Sequence, residues 1–300
     1  MRVRHFSFHG VRALDGLKRD LPRKEPDLVV VHGRYTKGKT TFLDTLAAAK
    51  ERVGPYGSGD GRWETLPSSS SGAAKVKPDW ELPERERARA GLRDALLSGG
   101  AILGRGLTPA DPPKVLRALL SQRPDAERGS IHYLHDTRDL SGPASYDATA
   151  TAFGDRLTTR NGKFADLYDL LDKADQRTAR ELGAARFSEL FPALEIVGLR
   201  RTGISFVPVL RDRESGAERT YHQLSLAERH GFLVALYTAK APIVDSVFLL
   251  DAPELGFGDE GAVDIVRALL RWTQHTQVIV ATASEAVKKM PEVAHLVELA

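Results

Sequence analysis

Three short stretches hold the residues best suited to chemistry. The first, Gly33-Arg34-Tyr35-Thr36-Lys37-Gly38-Lys39-Thr40-Thr41, fits the pattern G-x-x-x-x-G-K-[ST] of a phosphate-binding loop. Gly33 and Gly38 let the backbone turn tightly and bring its N–H groups up to a phosphate. Lys39 would reach the β- and γ-phosphates, and the Thr40 hydroxyl would ligate Mg²⁺. The second stretch, Ser246–Asp251, is an apolar run that ends in a carboxylate. Asp251 is expected to end a strand beside the phosphate-loop strand, where it would hold the Mg²⁺ that Thr40 also contacts. The third is Leu224-Ser225-Leu226-Ala227-Glu228. Ser225 can cap the following helix, and Glu228 three residues on completes a capping box.

These groups need elements to position them. Leu28–Val31 is a β-branched run that reads as a buried strand, and Lys39 opens a helix that Gly54-Pro55 stops. The helix N-terminus adds a partial positive charge at the loop. Arg2–Phe8 alternates like a strand, and a second short strand lies near Leu17–Leu21. Residues 54–72 are Gly/Ser-rich and read as flexible surface loops. Ala74–Leu82 alternates, with Pro78 expected to confine it to an edge.

Pro83–Ser98 reads as a helix closed by Gly99-Gly100. Its Arg85, Arg89 and Arg93 make one face basic. That face suits local ion pairs with Glu84 and Glu86, or nucleic-acid phosphates. Pro113–Ser121, Lys163–Leu182 with its continuation Ala184–Leu190, Leu226–Lys240 and Asp259–Thr273 read as helices. Strands are expected at Ile131–Leu134, Leu194–Leu199, Ile204–Leu210, Gln277–Thr282 and His295–Leu299. Strands alternating with helices predict an α/β fold with a mostly parallel sheet.

Composition narrows the setting. The 300 residues are 42% hydrophobic, enough for one large domain or two small ones. Without cysteine there is no disulfide, thiolate nucleophile or Cys-ligated zinc. No apolar run is long enough to span a bilayer, and Met1–Phe6 carries no signal-peptide core, so a cytoplasmic location is expected. The net charge of +3 permits nucleic-acid contact without arguing for it.

Taken together, the stretches resemble the SMC/RecF-like (OLD-like) branch of the ABC-type P-loop ATPases. In that branch a signature near L-S-x-G-E/Q lies some 20–30 residues before the Walker B strand, and Ser225 lies 26 positions before Asp251. Phe8-His9-Gly10-Val11-Arg12, between a strand and the phosphate loop, looks like the branch's segment beside the nucleotide base. The resemblance covers residues 1–50 and about 187–300. It implies one ABC-type domain, with N-terminal antiparallel strands beside the mostly parallel sheet. Residues 1–53 and 192–300 would form the nucleotide-binding core, and 54–191 an inserted, mainly helical lobe. The implied cofactors are ATP and Mg²⁺, held by Gly33–Thr41, Arg12 and Asp251. It also implies a homodimer or heterodimer that sandwiches ATP, in which Ser225, Ala227 and Glu228 meet the γ-phosphate on the other subunit. DNA, or a nuclease or effector on another chain, is implied as a partner, in DNA repair or anti-phage defence.

The chain departs from the branch where water is activated. Asp251-Ala252-Pro253-Glu254 stands in place of D-E-P-E, and Thr282-Ala283-Ser284 in place of T-H-S. Ala227 replaces the signature glycine, and His135 or Asp136 replaces the Q-loop glutamine. Losing one general base typically costs ~10²–10⁴ in rate. Hydrolysis is therefore expected to be weak or absent, with Glu254 as the substitute base in reach. The alternatives are a non-hydrolysing scaffold subunit that uses ATP as a structural ligand and, less well matched, a transporter ATPase subunit. For the latter the span from Lys39 to Ser225 is long.

Overall fold

The computed structural model describes residues 1–51, 66–68, 72–103, 108–109, 131–136, 138–140, 164, 166–203, 205–240 and 243–299. The helix expected at Pro113–Ser121 and most of the 54–72 loops lie outside the described residues. Strands β1 (Arg2–His9), β2 (Lys18–Asp20) and β3 (Leu28–His32) precede helix α1 (Lys39–Glu51). Next come β4 (Ala74–Glu81), α2 (Glu84–Ala90), β5 (Leu96–Ser98), β6 (Ala101–Leu103), β7 (Thr108–Pro109) and β8 (Ile131–Leu134). Helices α3 (Asp166–Asp172) and α4 (Arg177–Leu190) lead to β9 (Leu194–Thr202), β10 (Ser205–Asp212), β11 (Glu218–Thr220) and α5 (Leu226–Lys240). The chain continues through β12 (Val247–Asp251), α6 (Gly258–Trp272), β13 (Gln277–Thr282), α7 (Glu285–Lys288) and β14 (Val293–Glu298).

The central sheet is parallel, in the order β14-β3-β13-β12-β8. A parallel sheet must be covered on both faces, and its strands alternate accordingly. Val29, Val31, Leu249 and Ile279 face one core, while Leu28, Val30, Leu250 and Val280 face the other. The second core is closed by α3, α4, α5 and α6. The first is closed by α1 and by an antiparallel sheet in the order β2-β1-β4-β6-β7, with β5 also paired to β4. Lying between two sheets, α1 is buried from Phe42 to Lys50. Phe42 packs edge-on against Phe6 and Phe8 of β1, with centroids 5.0 and 5.4 Å away. Within 54–191, β4 to β7 join the antiparallel sheet, β8 joins the central sheet, and α4 packs along α5.

Four details correct the sequence reading. The helix from Pro83 stops at Ala90, where Gly91 turns left-handed and donates back to Ala88. Leu96–Ser98 is instead a strand on β4, so Arg93 lies beyond the helix. The helix across Lys163–Leu182 breaks at Lys173, which is extended. Pro78 is not on an edge, since β4 pairs with β1 on one side and with β5 and β6 on the other. Its carbonyl accepts from Gly99 N at 2.9 Å, so its bare nitrogen also faces the turn between β5 and β6. A missing donor is tolerated there because no ladder residue lies opposite. Finally, β12 is not beside β3, because β13 lies between them.

One buried amide ties the layers together. Gln277 on β13 accepts from Val3 N at 2.7 Å and donates to Val3 O and Asp27 Oδ1, each at 3.1 Å. Gln277→Leu orphans the Val3 groups, at about 1–3 kcal/mol for each buried group. Urea unfolding should show a loss of about 2–4 kcal/mol, and an unchanged midpoint would contradict this role for the amide.

Candidate nucleotide site

The phosphate loop leaves β3 and enters α1 at Lys39. Gly33 is buried, Gly38 is half-buried, and Arg34, Tyr35, Thr36 and Lys37 are exposed. Tyr35 is 72% exposed. A Cβ on Gly38 would meet Leu14 Cδ2 at 3.3 Å and Ala13 Cβ at 3.5 Å. The turn Arg12–Leu14 therefore lies directly against the loop, with Arg12 itself exposed. Thr36 adopts φ +67, a left-handed conformation the sequence did not announce because threonine rarely takes it.

Lys39 reaches back over the loop. Its Nζ donates to Gly33 O and Arg34 O, both at 2.8 Å, and lies 5.5 Å from the Tyr35 ring centre. Burial lowers its pKa, while Glu254 and Asp251 pull it back up. Those two carboxylates thus face the lysine across the site. Thr40 is half-buried, and Thr41 accepts at its carbonyl from the Thr45 hydroxyl at 2.6 Å.

Asp251 ends β12 and is 1% exposed. Helix α1 packs across β13 and β12, so its first turn reaches the end of β12 without strand adjacency. Thr40 lies beside the Asp251 carboxylate there and favours its charged form. Burial raises the Asp251 pKa to about 7, with Asp136 and Asp44 adding to the rise and Thr40 and Arg138 opposing it. Its Oδ2 is buried with no hydrogen-bond partner among the described residues. A buried carboxylate oxygen left open beside a hydroxyl suits a small, hard cation, and Mg²⁺ is commonly held by one or two side chains plus phosphates. Thr40 and Asp251 fit that ion.

The loop after Asp251 is locked on both sides. Ala252 takes φ +47 and donates to Ala281 O at 2.8 Å. Glu254 accepts from the Thr282 hydroxyl at 2.6 Å and from Ala283 N at 2.8 Å, so both its oxygens are engaged. Gly256, at φ +85, lies where a Cβ would come within 2.7 Å of Ala227 N. That close approach seats the loop on the N-terminus of α5. There Glu228 Oε2 accepts from Ser225 N at 2.6 Å, and Glu228 N donates to Ser225 Oγ at 3.3 Å, forming the capping box.

Two residues that the sequence did not single out join these parts. Arg138, 2% exposed, donates to the carbonyls of His135, Asp251 and Ala252. His230 donates from Nδ1 to Leu255 O at 3.1 Å. Burial, then Arg138, lowers its pKa to about 3, so it is neutral at physiological pH. A lone arginine in a polar loop and a histidine inside a helix carry no spacing signal.

A phosphate loop and an acid-ended strand, separated by one strand of a parallel sheet and flanked by an antiparallel sheet, define an ABC-type ATPase fold. Solved SMC head domains share it. The head bound to the C-winged helix domain of ScpA superposes with a TM-score of 0.59 at 13% identity, covering 96% of this chain and 91% of that one. The SMC head from Thermotoga maritima gives 0.52 at 17% identity, covering 99% and 94%. The Pyrococcus furiosus Smc head with an extended coiled coil, bound to the C-terminal domain of ScpA, gives 0.59 at 11% identity, covering 95% and 90%. No protein-family model matches the chain, and no curated protein does. No helix among the described residues is long and apolar enough to cross a membrane.

The raised Asp251 pKa has a sign that can be tested. Between about pH 4 and about pH 7 the folded chain keeps a proton that the unfolded chain has lost. The Asp251 contribution to metal-free stability should therefore fall as pH rises through that window, against an opposite contribution from His230, whose lowered pKa adds stability as pH rises. Asp251→Asn should remove the fall and stabilise the metal-free chain at about pH 8, by roughly a few kcal/mol at most. Thermal melts in chelator at about pH 5 and about pH 8 check this. Equal pH slopes for parent and variant would contradict it.

Proposed function

We propose that this chain is an ATP-binding subunit of the SMC/RecF-like kind, which associates with a second subunit around ATP and hydrolyses it slowly or not at all. The observation that carries the reading is the buried Asp251 carboxylate, beside Thr40 and open at Oδ2, across from Lys39. The loop Gly33–Thr41 would cradle the phosphates, with Lys39 leaving its carbonyl contacts for the β- and γ-oxygens. Arg12 and Tyr35 stand at the exposed rim of that loop. When bound, Mg²⁺ would supply charge neutralisation to the phosphates. Thr40 and Asp251 would orient that ion.

Slow turnover follows from what surrounds the γ-phosphate position. Ala252 and Ala283 offer no group to orient water. Glu254, the substitute base, has both oxygens engaged by Thr282 and Ala283. That engagement favours a second reading, a scaffold subunit that holds ATP as a structural ligand. Under either reading the nucleotide-binding core takes in 1–53 and 192–300, and the stretch expected as an insert, 54–191, completes it, since β4 to β7 join the antiparallel sheet and β8 the central one; a cytoplasmic location is expected. DNA, a nuclease or an effector chain is the expected partner, in repair or anti-phage defence. The SMC heads bound to ScpA, which share this fold, lend support to a partner-binding role.

Two outcomes test the proposal. Lys39→Ala should lose most ATP affinity in calorimetry, because a charge-assisted phosphate contact is gone; equal affinity in variant and parent would sink the reading. Ser225→Arg should bind ATP like the parent yet stay monomeric in light scattering with ATP and Mg²⁺. If Ser225 is only a helix cap, the variant loses about 1 kcal/mol of stability and associates as the parent does.

A further inference from the structure

The parallel ladder between β8 and β12 stops at Leu134 and Leu250. Asp251 and Ala252 therefore run past their neighbour on that side, and their carbonyls have no strand to pair with. Arg138 fills the gap. Its Nη1 donates to Asp251 O at 2.8 Å and to His135 O at 3.0 Å, and its Nη2 lies 3.4 Å from Ala252 O. Three carbonyls from two strand ends thus converge on one guanidinium. An arginine suits this task because its planar fork offers several fixed donors, where a lysine offers one point of charge.

The segment being held is strained. Ala252 is a non-glycine residue at φ +47. Such conformations are disfavoured and persist only where the surroundings over-determine them. Ala281 O holds Ala252 from the β13 side, and Arg138 holds it from the β8 side. Arg138 does not have to fix its own loop. The Tyr221 hydroxyl donates to Asp139 Oδ1 at 2.9 Å and accepts from Leu140 N at 3.1 Å, which anchors that loop independently.

We infer that Arg138 is a positioning residue for the metal-binding end of β12, holding the Asp251–Ala252 backbone so that the Asp251 carboxylate faces Thr40. The inference rests on the nucleotide-binding reading above and assigns this residue to the Mg²⁺-dependent part of ATP binding. Arg138 touches neither phosphate nor metal in this role. It acts through the direction of the carboxylate. Partners that orient a metal ligand typically contribute about 10–100-fold in metal affinity.

The test measures ATP affinity by calorimetry in chelator and in Mg²⁺, for the parent, Arg138→Gln and Arg138→Lys. Mn²⁺ in place of Mg²⁺ gives a second readout, the bound-ion signal in electron paramagnetic resonance. Arg138→Gln is expected to keep its metal-free ATP affinity. It should lose about 10–100-fold of the strengthening that the metal gives the parent, and with it the bound-Mn²⁺ signal. Equal metal strengthening in variant and parent overturns the inference. So does a parallel loss with and without metal, which is what a merely structural arginine predicts. If Arg138→Gln does not fold, Arg138→Lys decides, because it keeps the cation and loses the fork. A reduced metal effect there supports the inference, and a full one overturns it. A parent that binds no ATP in either condition overturns the nucleotide reading itself, an outcome visible before any variant is made.

Discussion

The structure depends on one juxtaposition, that of Thr40 at the start of α1 with the buried Asp251 carboxylate at the end of β12. The two residues are far apart in sequence and on non-adjacent elements. Bringing them together requires α1 to cross the central sheet over β13, and that crossing leaves α1 buried on every side. The antiparallel sheet can then be understood as the second wall of the α1 slot. Phe6, Phe8 and Trp80 line it, and Gln277 fixes it to the central sheet. A core built this way gathers a partly satisfied carboxylate, a hydroxyl and an ammonium group at one site.

The loop after Asp251 gives that site a connection to another surface. Glu254 reaches the end of β13, Gly256 lies on the first residues of α5, and Leu255 bonds to His230 inside the same helix. The start of α5 is where the proposed trans contact would form. The chemistry at the site is uneven. Groups suited to phosphate and metal are in place, whereas the positions proposed to orient water carry methyl groups at Ala252 and Ala283.

Much of this was legible in the sequence where the signal is local. The phosphate loop was readable because a β-branched strand, a glycine pattern and a helix follow one another directly. The capping box was readable because it spans only three residues. Strand order was not. Val247–Asp251 and Gln277–Thr282 are both short apolar runs, and nothing local says which one borders β3. Pro83 and Gly99-Gly100 suggested a helix as long as Pro83–Ser98, but Gly91 ends it early and leaves Arg93 off the face with Arg85 and Arg89. Pro78 misled because its missing donor is an edge signal only where a neighbouring strand would need it. Arg138 stayed hidden because its partners are backbone carbonyls, which every sequence has.

The account's central claim is that the chain holds ATP with Mg²⁺ and scarcely turns it over. The most direct measurement incubates the purified chain with ATP and Mg²⁺, separates the protein and identifies the bound nucleotide over time. The account predicts stoichiometric nucleotide that remains ATP for many minutes. No bound nucleotide, or bound nucleotide recovered as ADP within seconds, would contradict it.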